Sequence, residues 1–333
     1  MATDPITKAC RELCRKFPHH PARSIARKLV QQTQGAITLD GARSRVRYQF
    51  GQRGKKNAPY KGSVAKRAAR APGQGIDLPP TLAEPWTVHD FGVVGIIGVI
   101  SDLHVPYHSE IAVKAAVELM QDREIAGLLI NGDFCDFYAI SRFDKDPAKR
   151  DFKAELNGIR EVLGSLRAAF PEIPIVLKCG NHEERWCHWL WQHAPEISDM
   201  AEMALDRWLH LDKHNITLVE DKRIVMLGQL PVLHGHEKGK GISSPVNQAR
   251  GAFLRLNHTV LEGHGHRTSG HCEPDMFGRE VFCWSTGCLC ELHPAYAPIN
   301  KMNHGFALVD VQADGEFDVT NLRITAEGKV RQS

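Results

Sequence analysis

Apolar positions recur at two different periods along this chain, and the change of period divides it. Over residues 5–50 the spacing is helical: Ile6, Ala9, Cys10, Leu13, Cys14 and Phe17 share one face until His19-His20-Pro21 breaks it. Ile25, Ala26, Leu29 and Val30 then fall on one face of a second helix, for which Pro21 suits the first turn. A third is expected from Asp40 as N-cap, with Arg43 and Arg47 four apart on one face and Arg45 nearby. From about residue 92 the runs are short, β-rich and end in Gly or polar residues: VVGIIGVIS, IAGLLING, IPIVLKC, RIVMLG, LPVLHG, HTVLEG, EVFCWSTG and GFALVDV. Helices lie between several of them. One starts at Ser109, and another places Phe152, Leu156, Ile159, Leu163, Leu166 and Phe170 on one stripe. Strand and helix alternate in the first half of this region and strands dominate the second, which predicts an α/β sandwich with mixed sheets covered by helices.

Between the two regions the apolar period disappears. Residues 51–85 are dominated by Gly, Pro, Lys and Arg and read as a linker. The expected organisation is a small all-α domain over 1–50, a Gly/Pro/Lys/Arg-rich linker over 51–90 and the α/β domain over 91–333. Charge sharpens this division. Residues 1–70 carry 17 Lys and Arg against 3 Asp and Glu, whereas the remainder carries 25 against 36. A basic module on an acidic body points to a polyanionic partner, and three helices with arginines on the last match a helix-turn-helix lying on nucleic acid, DNA before RNA. The bland alternative is a helical bundle whose arginines keep it in solution.

No run of about 18 apolar residues is present, so no membrane partner is expected. The first residues do not form a secretory signal, and nine cysteines, an odd number, point to reduced thiols in a cytoplasm. The architecture suits a mobile-element or phage protein, hence a bacterial or phage-infected host cell.

Five strand-end loops carry candidate chemistry: Asp102 and His104; Asp133 and Asp136; Asn181 and His182; His234 and His236; His264 and His266. Each alone is weak, because a buried histidine is commonly a hydrogen-bonded core residue and Gly-Asn commonly a turn. All five following apolar strands are a stronger signal. If the loops converge, they form a nest of oxygen and nitrogen donors sufficient for two divalent cations. No cysteine occupies a ligand position in them, and Cys135 is expected to face the core.

The series D-x-H, G-D-x-x-D, G-N-H-E, H-G and G-H-x-H resembles the calcineurin-like metallophosphoesterase family over roughly residues 95–311. The resemblance implies a four-layer α/β/β/α sandwich with a two-metal centre at one edge of the sheets. It implies that Asp102, His104 and His266 bind one metal, that Asn181, His234 and His264 bind the other, and that Asp133 bridges them. His182 would face the phosphate and assist the leaving group, with Asp136 behind it favouring the imidazolium. The implied reaction is phosphoester hydrolysis by a hydroxide held between two divalent metals, manganese first, with iron, zinc, magnesium or nickel admissible.

The expected activity is a nucleic-acid phosphodiesterase, a nuclease gripping its polymer through residues 1–70. The alternatives are a phosphomonoesterase and a non-catalytic binding protein. The family's protein phosphatases carry an arginine where this chain has Phe137, which removes a phosphate clamp. Glu183 and Glu184 read as the acidic start of a helix. Arg142 and Arg185 are candidate phosphate contacts, and His236 has no assigned role. Trp186, Trp189 and Trp191 are read as helix packing in preference to base stacking. Cys272, Cys283, Cys288 and Cys290 lack zinc-knuckle spacing and are read as core or loop thiols.

Overall fold

The computed structural model describes residues 4–50, 78–83, 85–144, 146–239, 246–295 and 297–332. Most of the linker, residues 51–77, lies outside them. The chain divides into two units, Met1–Ala83 and Glu84–Ser333.

In the first unit, α1 (Pro5–Lys16), α2 (Ala22–Gln32) and α3 (Leu39–Phe50) enclose a core of Cys10, Cys14, Ile25, Ala26, Leu29, Ala42 and Val46. The predicted apolar stripes are the buried ones. Asp4 caps α1 through the Ile6 amide, with Pro5 at the first helical position. The start of α3 differs from expectation. The Thr38 hydroxyl accepts from the Gly41 amide at 3.2 Å and takes the capping role, leaving Asp40 in the first turn. Arg45 is also not on an open face: its guanidinium ties α3 to α1 through Asp4 and Thr7. Arg43 reaches back to Asp40, while Arg47 and Tyr48 are exposed.

The second unit is built on two mixed sheets. One has seven strands: β2 (Gly95–Ile100), β3 (Gly127–Asn131), β4 (Ile175–Lys178) and β5 (Ile216–Val219) run parallel, and β11 (His304–Val311), β12 (Phe317–Ile324) and β13 (Val330–Gln332) extend it antiparallel beyond β2. The other has six strands in the order β1 (His89–Asp90), β6 (Val225–Leu227), β7 (Leu230–Leu233), β8 (Val260–Glu262), β10 (Glu280–Ser285), β9 (Ser269–Pro274). Strand β1 pairs with β6, so this unit begins before the boundary at residue 91 read from the sequence.

Side chains alternate along each strand, which lets one strand serve two layers. Ile97, Val99, Leu129, Val176, Ala307 and Val309 point at the six-stranded sheet and meet Val225, Leu227, Val232 and Leu261. Their neighbours Ile100, Leu128, Ile130, Ile175, Leu177 and Phe306 point the other way, onto α4 (Glu110–Asp122), α5 (Phe152–Ala169), α6 (Glu184–His193) and α7 (Leu205–Leu209). On the outer face of the second sheet, Ala249 and Ala252 of α8 (Gln248–Leu256) cover Leu233, Val260, Val281 and Cys283. The order is helices, sheet, sheet, helix, the layering expected from the resemblance. Ser109 caps α4 as predicted. Among the described residues no helix is long and apolar enough to cross a membrane.

Candidate metal centre

All five candidate loops leave the C-terminal ends of strands: Asp102 follows β2, Asp133 follows β3, Asn181 follows β4, His234 follows β7 and His264 follows β8. Facing sheets bring these ends together, and backbone bonds join them. The Asp102 amide donates to Gly132 O, His104 to Asp133 O and Gly263 to His234 O, at 3.0, 3.0 and 2.9 Å. Between the sheets, His234 Nδ1 donates to Asn131 O at 2.8 Å, which turns its Nε2 toward the site.

Left-handed backbone marks the same positions. Asp102, His104, Asp133, His264 and His266 all have φ between 49° and 63°. Non-glycine residues in this region are strained, and such strain collects at functional sites held by their surroundings. Gly180 answers a different need. A Cβ there would lie 2.3 Å from Asp133 Oδ1 and 2.5 Å from Asp133 N, so only glycine lets the Asn181 loop approach.

Asp133 lies at the centre. Its Oδ2 is 3.2 Å from His234 Nε2 and 3.9 Å from His104 Nε2, and its Oδ1 accepts from the His182 amide at 2.9 Å. Its ligand atom clusters with those of His234 and His264 on one side and of His104 and His182 on the other, each set within 4.8 Å. His266 Nε2 stands 3.1 Å from Asp102 Oδ1 and 3.3 Å from His104 Nε2. Asp102 Oδ1, Asn181 Oδ1 and His234 Nε2 are buried with no hydrogen-bond partner among the described residues. Buried polar atoms are nearly always partnered. The close approaches of His234 Nε2 to Asp133 Oδ2 and of Asp102 Oδ1 to His266 Nε2, 3.2 and 3.1 Å without hydrogen-bond geometry, fit a cation placed among them. The donor set of carboxylate, imidazole and amide therefore suits two divalent metals.

Electrostatics points the same way. Burial works against the charged forms of Asp102, Asp133 and Asp136, yet the surrounding histidines hold all three carboxyls below their ordinary range. Burial also opposes a charged His234, but the Asp133 carboxylate outweighs it and pushes the ring up to about 10. With no cation, the carboxylates draw protons onto His234 and His266, while burial and the neighbouring His234 lower His264 to about 4; a bound metal would displace those protons.

His182 stands at the rim. Its Nδ1 is 2.9 Å from Asp136 O and 3.4 Å from Asp136 Oδ1, while Asp136 Oδ1 also lies 3.2 Å from His104 Nδ1. Asp136 thus orients two histidines, of which the sequence analysis anticipated one. Arg185 donates to Asp136 O and approaches His182 Nε2, both at 2.7 Å. Burial lowers His182 and the Asp133 and Asp136 carboxylates more than offset it, a net rise that Arg185 opposes. A guanidinium donating to Nε2 requires a lone pair there. That contact suits a ring with its proton on Nδ1, whereas the net rise from the two carboxylates favours the imidazolium that was expected.

Several supports were missed or misread in the sequence. Glu183 and Glu184 do begin α6, but Glu183 has a further role. It is fully buried, and its carboxylate accepts from the amides of Asp133, Cys135 and Gly180 at 2.9, 2.8 and 2.7 Å. Glu237 accepts from the His234 and Gly235 amides and pairs with buried Lys178 at 2.6 Å; burial opposes its charge, but Lys178 holds it down at about 2. A Glu three residues after each loop glycine or histidine was the only signal available. His236 bonds Glu184 at 3.0 Å and so links the β7 and β4 loops. Cys290 lies 3.7 Å from His266 Nδ1, closer to the centre than a core thiol was expected to be. Cys135 and Cys283 are core, and Cys272 is exposed. Trp186 packs on Phe152 and Trp208 as expected, whereas Trp191 is exposed. Phe137 is buried against Phe152 and offers no phosphate contact.

No protein-family model matches the chain. No curated protein matches it in sequence. Among solved structures it is similar to Vacuolar Protein Sorting 29 from Cryptosporidium parvum, at 15% identity over 72% of this chain and 95% of that one, TM-score 0.39. It is also similar to the Pseudomonas putida nuclease MPE (17% identity, 68% and 87% covered, TM-score 0.29) and to a dimetal phosphatase from Danio rerio (12%, 68% and 96%, TM-score 0.35). The functional reading below rests on the site's own residues.

Proposed function

We propose that the chain is a two-metal phosphoesterase that cleaves nucleic-acid phosphodiesters, with the basic residues 1–70 gripping the polymer. The observation that carries the reading is the pair of buried donor atoms, Asp102 Oδ1 and His234 Nε2, without hydrogen-bond partners among the described residues, beside Asp133 and His266, with Asn181 Oδ1 likewise buried and unpartnered. Asp102, His104 and His266 would hold one cation, Asn181, His234 and His264 the other, and Asp133 both. Bound there, divalent cations acidify a water and neutralise phosphate charge.

The chain's own groups do the rest. Asp136 O fixes the His182 ring through Nδ1 and leaves Nε2 beside Arg185 and 3.9 Å from Asp133 Oδ2. Arg185 presents a permanent positive charge to a departing alkoxide, and His182 would supply a proton once the Asp133 and Asp136 carboxylates have drawn one onto Nε2. Support for the polymer comes from charge: 17 basic residues against 3 acidic ones in the first 70.

The test is cleavage of supercoiled plasmid and single-stranded DNA by the full chain with manganese, beside Asp133→Asn. Cutting by the wild type and none by the variant is expected. A wild type that hydrolyses a model phosphoester but leaves DNA intact would move the substrate to RNA or a phosphomonoester. No hydrolysis of any ester would sink the catalytic reading.

A further inference from the structure

Two tyrosines stand on the loops that carry the rim of the metal centre. Tyr107 follows His104 by three residues, its amide donates to His104 O at 2.7 Å, and its carbonyl accepts from Glu291 N at 2.8 Å. Tyr138 follows Asp136 by two, its amide bonds Glu155 Oε1 at 3.1 Å, and its hydroxyl accepts from Asp146 N at 2.7 Å. The Asp136 amide donates to Val105 O at 3.0 Å, which locks the two loops together. The rings meet edge to face, with centroids 6.3 Å apart. Both backbones are fixed, yet the Tyr107 side chain is 40% exposed. The segment closed by the Tyr138–Asp146 bond carries Phe143, 62% exposed, with the Arg142 guanidinium 5.3 Å over its ring.

The tyrosine rings pack on each other and Arg142 on Phe143, yet Tyr107 and Phe143 keep ring surface in water on the loops that follow the centre's Asp102–His104 and Asp133–Asp136. Tyrosine rings and an arginine stacked on a phenylalanine present planar π and cationic surfaces, the chemistry that takes up a nucleobase independently of its sequence. A peptide or lipid chain would want a continuous aliphatic groove instead. We infer that Tyr107 and Tyr138, with Arg142 and Phe143 on the segment that Tyr138 closes, form a stacking subsite for the base next to the reacting phosphate. This rests on the phosphodiesterase reading and names its substrate: a nucleoside diester with an unpaired base, since a base inside a duplex has no free face.

Two readouts test it. The first is quenching of 2-aminopurine riboside 5′-monophosphate fluorescence by the full-length protein in EDTA, which reports stacking without turnover. Wild type and Tyr107→Phe, which keeps the ring, should quench. Tyr107→Leu and Phe143→Leu should bind at least about fivefold more weakly. The second is the kcat/KM ratio of thymidine 5′-(p-nitrophenyl) phosphate to methyl p-nitrophenyl phosphate with manganese. It should exceed about ten and collapse in Tyr107→Leu through KM. Absence of quenching by the wild type, quenching that survives Tyr107→Leu, or equal loss on both diesters in that variant would overturn the subsite. Failure of the wild type to hydrolyse either diester would instead refute the phosphodiesterase reading, with the fluorescence arm still deciding whether a base stacks.

Discussion

The Glu183 carboxylate occupies the acceptor position for three buried amides drawn from two loops, those of Asp133, Cys135 and Gly180. Glu183→Ala leaves all three unpaired, and at about 1–3 kcal/mol for each buried unsatisfied group the loss should reach at least about 3 kcal/mol. Chemical denaturation with matched slopes would measure it; a change below 1 kcal/mol would mean that water replaces the carboxylate. Glu155 offers a second test at this scale. Burial, with Asp136 nearby, raises its carboxyl from 4.5 to about 7. Folded protein therefore keeps a proton that the unfolded chain has released between those values. The Glu155 contribution to stability should be greatest below pH 4.5, fall as pH rises to about 7, and level off above, by roughly 1.4 kcal/mol per unit of separation. Glu155→Gln should flatten that slope in urea titrations taken across the range, and an unchanged slope would locate the proton elsewhere.

At the scale of elements, strand ends and the turns after them decide the site. The turn from β4 into α6 brings Gly180 so near Asp133 that a methyl group would lie 2.3 Å from its Oδ1. Gly180→Ala must push either Asn181 or Asp133 out of place. Metal content measured by atomic absorption should fall below two per chain in this variant while far-UV dichroism stays native, because the sheets do not depend on the turn. Full loading would show that the loop has room to move. The β3 loop was harder to read. G-D-x-x-D has the look of one acidic loop, but Asp133 and Asp136 end in different surroundings. Asp133 is among the histidines of both sheets, and Asp136 lies behind His104 and His182.

For the whole molecule, the pairing of an acidic, ligand-lined centre with a basic N-terminal region sets two expectations. Adding manganese to chelator-treated protein should raise its melting temperature, by about 2.7 kcal/mol of stabilisation at one hundred times the dissociation constant. The gain should shrink toward low pH, where protons hold the ligand histidines. An unchanged melting temperature would show that the convergent donors do not bind the ion. Separately, affinity of the full chain for a DNA duplex should fall about 10³-fold or more from 50 to 200 mM salt if six or more cationic groups meet phosphates. A flat dependence would exclude residues 1–70 as the grip.

The sequence by itself determined the elements and the donor set. The 3.6-residue stripe of α5, the short apolar runs of β2 and β11 and the placement of Asp102, Asp133, Asn181, His234 and His264 after such runs are all legible in the local pattern. It also placed the cap of α4 correctly, and the cap of α3 two residues late, since Thr38 and Asp40 are both competent caps and only the helix path chooses between them. Tertiary structure decided what each polar group meets. Glu183 and Glu237 became amide clamps, Arg45 became a tie between helices, Arg185 was set against His182 Nε2, and Cys290 came to face His266. Asp133 and Glu183, Thr7 and Arg45, and His266 and Cys290 lie tens of residues apart, and even the three-residue contacts of Glu237 and Arg185 depend on how the loop is held, information that no local period carries.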